Sequence, residues 1–64
     1  MLLRHAMPGD VIVFNDARIP ANDANMRHTV TRVNDEGIRL VNCKFGIPVW
    51  YKLDSDLQCY LATC

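Results

Sequence analysis

Apolar residues along this chain fall into five short runs, each bounded by turn-forming residues. No stretch keeps the i, i+3, i+4, i+7 spacing of an amphipathic helix over ten residues, so the pattern is that of strands. Pro8-Gly9-Asp10 is a turn signature that launches the first run, Val11-Ile12-Val13-Phe14, which is apolar on both faces and is expected to lie centrally in a sheet. Asn15-Asp16 ends it. From Asn15 to Met26 the turn formers Asp16, Pro20, Asn22, Asp23 and Asn25 dominate. Pro20 to Ala24 has the composition for one helical turn, but a long structured loop is expected, pinned by Ile19 and Met26. The β-branched stretch Arg27 to Val33 predicts the second strand. Asn34-Asp35-Glu36-Gly37 then predicts a tight hairpin, with Gly37 in a left-handed conformation.

Ile38 to Cys43 predicts the returning strand, with Ile38 and Leu40 on one face and Val41 and Cys43 on the other. After the turn at Phe45-Gly46-Ile47-Pro48, the residues Ile47, Val49, Tyr51 and Leu53 alternate with Trp50 and Lys52, which predicts a fourth strand. Pro48 has no ladder donor and belongs at a sheet edge. Asp54 to Leu57 has the capping residues for one 3₁₀ turn, and Gln58 to Ala62 predicts a last short strand. Residues 1–8 are expected to be a lead-in segment and residues 9–62 a small barrel, together one domain.

This order of a strand, a long loop, a three-stranded meander, a one-turn helix and a last strand resembles the SH3-like small barrels. The resemblance covers Pro8 to Ala62, and Gly9-Asp10 before the apolar first strand matches those families. It implies a five-stranded all-β barrel. It carries over no functional residue: the KOW type has glycines in the loop after the first strand, and this loop has none. Peptide-binding SH3 domains cluster tyrosines there, and this loop has no aromatic residue.

Composition narrows the function more than the fold. A chain of 64 residues buries only about 60% of its unfolded surface, which leaves little core in which to hollow a pocket of ~300 Å³. Seven basic residues balance seven acidic ones. The missing basic excess disfavours a nucleic-acid binder, and zero net charge favours self-association, including a homodimer. No apolar stretch has the ~20 residues of a membrane span, and Arg4 interrupts the short apolar start, so a cytoplasmic protein is expected. Three cysteines without a pairing scheme suit a reducing compartment. Cys43 and Cys59 are expected as small core residues and Cys64 as a free tail thiol.

The candidate chemistry is sparse. His5, His28, Cys43, Cys59 and Cys64 are ligand types for zinc, but no C-x-x-C spacing joins them, so no metal or cofactor is expected. No phosphate loop, G-x-S-x-G or H-E-x-x-H motif occurs, which argues against an enzyme. The leading expectation is a protein-binding module, of bacterial or phage type, whose partner meets Trp50, Tyr51, Lys52 and Tyr60. The alternative is nucleic-acid binding through Arg27, Arg32, Arg39, Lys44 and Lys52, with Trp50 or Tyr51 stacking on a base. A third reading is a subunit of an oligomeric enzyme with its site on a symmetry axis. The uncharged last strand, Cys59 to Ala62, is the segment expected to accept a partner strand if it does not close against the first.

Overall fold

A computed structural model describes all residues from Met1 to Cys64. Five antiparallel strands, β1 (Val11–Phe14), β2 (Arg27–Asn34), β3 (Gly37–Asn42), β4 (Pro48–Tyr51) and β5 (Cys59–Ala62), form one sheet in the order β4-β3-β2-β1-β5. β5 pairs with β1 in the register Val11↔Ala62 to Phe14↔Cys59. Because β4 and β5 are the two edges and do not pair with each other, the sheet is open rather than a continuously closed barrel.

Alternation sorts the strands into two faces. Ile12, Phe14, Val30, Ile38, Leu40 and Cys59 turn inward, and Leu3 and Ala6 complete the core cluster. The lead-in therefore packs into the centre of the molecule. Leu3–His5 is a 3₁₀ turn, and Leu3 N–H donates to Leu57 O at 2.9 Å. The 3₁₀ turn expected at Asp54 to Leu57 does not form. A hydrogen bond from Ser55 N–H to Lys52 O closes a simple turn instead, and Ser55 Oγ accepts from Leu57 N–H. Ser55 O is meanwhile taken by Arg4 N–H, so this segment answers to the lead-in rather than to itself.

Thr31 is an extra residue in β2, since Val30 faces Leu40 and the next pair is Arg32 with Arg39. Such a bulge bends and twists its strand. At the hairpin, Gly37 has φ +130°, as its position after Asn34-Asp35-Glu36 requires. The long loop is built of turns without a helix: Ile19 N–H donates to Asp16 O, and Asp23 N–H to Pro20 O. Asp16 ties it down. Its carboxylate accepts from Arg18 Nε and Nη2, from Arg18 N–H and from Gln58 N–H. The Arg18 side chain, then the Gln58 and Arg18 amides, hold that carboxyl well below the usual carboxylate range.

The cysteine expectation is corrected. Cys43 is exposed rather than in the core, and it is joined to Cys64 by a disulfide with Cα atoms 6.0 Å apart. The reason is topological: Cys43 leaves the outer face at the end of β3, and the tail after β5 crosses the same face. Thr29 Oγ1 lies 3.4 Å from each sulfur. Cys59 is the buried free thiol, and burial pushes its pKa up.

Candidate functional site

Two surfaces gather the residues with chemistry to offer. The first is the outer face of the sheet. Register places Arg32 directly opposite Arg39, and Arg39 directly opposite Trp50, so the three side chains stand in one cross-strand row. Like charges set opposite one another are unfavourable, yet neither arginine meets a carboxylate: both ion pairs of the molecule belong to Arg18, with Asp16 and Asp56. Arg39 Nη1 donates to Thr31 Oγ1 at 3.2 Å. Trp50 is 42% exposed. A second row on the same face, by register, is Tyr60, Val13 and Arg27.

The structure thus brings Arg32, Arg39 and Trp50 together and sets Tyr60 with Arg27 farther along the face. Tyr51 points the other way. It packs on Phe14 with ring centroids 5.4 Å apart and is half-buried, and burial raises its pKa. Lys52 is exposed beside it, next to a shallow depression of about 630 Å³ that Trp50 also lines. Lys44 stands on the β3–β4 loop, over the Phe45 ring at 5.3 Å. No three His, Cys, Asp or Glu side chains come together as a metal site.

The second surface is a groove of about 490 Å³ between the long loop and β4. A pocket of that size was not expected from so short a chain, and it arises beside the core rather than within it. β4 is an edge strand, so its inward residue Val49 and the preceding Ile47 have nothing packed over them; Ile47 is 64% exposed. Met26 forms the opposite apolar wall.

The floor of the groove is a cross-strand polar pair, His28 opposite Asn42. His28 is only 4% exposed, rests against Phe14 at 5.6 Å between centroids, and has no hydrogen-bond partner at Nδ1. Burial pushes its pKa below the ordinary imidazole value, opposed by the Met26 backbone and the charge of Asp23. A buried polar atom left unpaired costs about 1–3 kcal/mol. Asn42 is buried for a structural reason: its Oδ1 accepts from Lys44 N–H at 2.8 Å and Phe45 N–H at 2.9 Å, which shapes the β3–β4 loop. Its amide NH₂ makes no hydrogen bond to the protein.

Sequence reasoning missed this groove and its residues Asp23, Met26, His28, Asn42, Phe45, Ile47 and Val49. One signal was available: in β2 the positions of His28 and Val30 alternate onto the same, inward face. Comparison of the chain with protein-family models, curated proteins and solved structures finds no match.

Proposed function

We propose that this chain is a non-enzymatic binding module, a small SH3-like barrel that docks an extended segment of a partner protein along β4. The observation that carries the reading is the open edge. β4 is unpaired on its outer side, and Phe45, Ile47, Val49 and Trp50 form an exposed apolar run through it and the turn before it. Monomeric proteins seldom leave such a run open. An edge strand offers main-chain groups for strand addition, and alternate side chains then meet different surfaces. Here those surfaces are the groove on the inward side and the Trp50 row on the outward side. The strand order, with β5 beside β1 and a meander through β4, supports the SH3-like reading of the fold.

The test is selection of linear peptides from a random display library on the immobilised protein. Peptides with alternating apolar residues should emerge and blue-shift the fluorescence of Trp50, the one tryptophan in the chain. Trp50→Ala should abolish their capture while the far-ultraviolet circular dichroism keeps its sheet signal. Loss of the fold in that variant, or selected peptides indifferent to it, overturns the reading.

A second reading has its own observation. The unneutralised row Arg32–Arg39–Trp50 pairs cationic groups with a stacking surface, which is the equipment of a single-stranded nucleic-acid site.

A further inference from the structure

We propose that the Cys43–Cys64 disulfide is a thiol-exchange site, where an anionic low-molecular-weight thiol becomes bonded to Cys64 and frees Cys43. The inference goes beyond the docking reading and does not depend on it.

Access, charge and tethering converge on that chemistry. Both cysteines are exposed, and their bond borders a depression of about 470 Å³ lined by Asn25, Met26, Arg27, Cys43, Lys44 and Cys64. Arg27 and Lys44 are the charged side chains of that lining, and both are exposed. Neither is engaged in an ion pair, since both pairs of the molecule belong to Arg18. Two cations against the single α-carboxylate of Cys64 leave the depression net positive. It therefore draws the carboxylate of an acidic thiol toward the bond. The tail is otherwise loosely tied. Thr63 and Cys64 make no backbone hydrogen bond, so the disulfide and Thr29 Oγ1, 3.4 Å from each sulfur, are its polar ties.

Which sulfur is attacked follows from what surrounds the other. Cys43 N–H donates to Arg27 O at 2.9 Å, so Cys43 stands beside Arg27 and directly before Lys44. Cations beside a thiolate lower its pKa, and the thiol of lower pKa leaves faster. The incoming thiolate therefore bonds to Cys64 Sγ, the Cys43–Cys64 bond breaks, and its electron pair departs on Cys43 Sγ. Thr29 Oγ1 donates to the departing thiolate. One disulfide replaces another, with no net oxidation or reduction. A second thiol attacking the mixed disulfide takes up the first as a small disulfide and releases Cys64. The two electrons that reduce the protein then come from those two thiols. Cys59, the one other thiol, is 1% exposed, so the exchange does not reshuffle within the chain.

The test follows exchange of the oxidised full chain with β-mercaptopropionate, β-mercaptoethanol and cysteamine, which differ in charge. Rates are taken per thiolate and divided by those of the same thiols on hydroxyethyl disulfide, which removes their intrinsic nucleophilicity. The normalised rate for mercaptopropionate should stand roughly fivefold above that for cysteamine, and the gap should shrink as salt rises. Arg27→Gln combined with Lys44→Gln should erase the preference while the far-ultraviolet circular dichroism keeps its sheet signal. Quenching with N-ethylmaleimide, followed by peptide mass mapping, should find mercaptopropionate on Cys64 and the maleimide on Cys43. Equal normalised rates, a preference that survives both substitutions or is indifferent to salt, or mercaptopropionate on Cys43 overturns the proposal. So does an air-oxidised chain in which Cys43 and Cys64 both react with the maleimide before any thiol is added.

Discussion

His28 is a residue whose placement and chemistry pull in different directions. Strand alternation sends its ring inward, where Phe14 packs on it, and burial there disfavours the imidazolium. The folded ring therefore resists protonation at a pH where the unfolded ring, titrating near its ordinary 6.5, already accepts it. In that window the unfolded state binds more protons, so stability is fully present above 6.5 and declines as pH falls toward the folded value. Urea unfolding midpoints should drop between about pH 7 and pH 5.5, and His28→Phe should flatten that slope. A slope unchanged in the variant would place the titrating group elsewhere. Gly37 makes the opposite case, a residue whose role is wholly conformational. Its φ of +130° disfavours a side chain, and a Cβ there would run into the Tyr51 carbonyl, with the Trp50 ring close behind. Gly37→Ala should cost about 2–3 kcal/mol in denaturant unfolding, and Trp50 fluorescence should report a moved ring.

At the scale of elements, the strands were legible because each is a short run with its own boundary chemistry. Pro8-Gly9-Asp10 opens β1, Asn34 to Gly37 turns β2 into β3, and Pro48 stands on an edge strand as its missing donor requires. What alternation cannot express is what lies across from a face. Ile47 and Val49 alternate with Trp50 as one apolar face, yet an edge strand in so small a protein has too little opposite that face, and the groove results. The segment at Asp54 to Leu57 failed as a 3₁₀ turn for a related reason: its backbone partners lie in the lead-in, a contact between the two ends of the chain that no local window holds. The Cys43–Cys64 bridge is equally non-local, because it depends on β5 lying beside β1 and on the tail crossing Thr29. The bridge spans 21 residues of sequence, for which chain entropy gives about 3 kcal/mol of stabilisation. Reduction with dithiothreitol, or Cys64→Ser, should lower unfolding stability by about that amount without altering the sheet. An unchanged midpoint would mean that the tail is equally well held without the bond.

For the whole molecule the deciding quantity is how its charge is arranged, since the total is zero. The acidic side of the ledger is partly spent on Arg18, whose pairs with Asp16 and Asp56 anchor the long loop. Arg27, Arg32 and Arg39 remain free of carboxylates on the outer face, while Asp23 alone charges the groove. The two readings of function share the outward Trp50 row but differ in what holds the ligand, arginine–phosphate pairs in one and main-chain and apolar contacts in the other, and salt separates them. If three arginines contact the phosphates of a single strand, log K should fall with log salt with a slope of about −2. Between about 50 and 200 mM salt that is a loss of roughly twentyfold in affinity. A docked segment held by main-chain groups and apolar contacts should lose far less over the same range. Fluorescence anisotropy of a labelled RNA oligomer across that salt series, run beside light scattering of the free protein, reads both. A steep slope that shrinks by about a third in Arg39→Ala would put the function on the outer face. No binding at the lowest salt eliminates nucleic acid, and a dimeric mass in the same samples would make a second copy of the chain the occupant of one of the two open edges, β4 or β5.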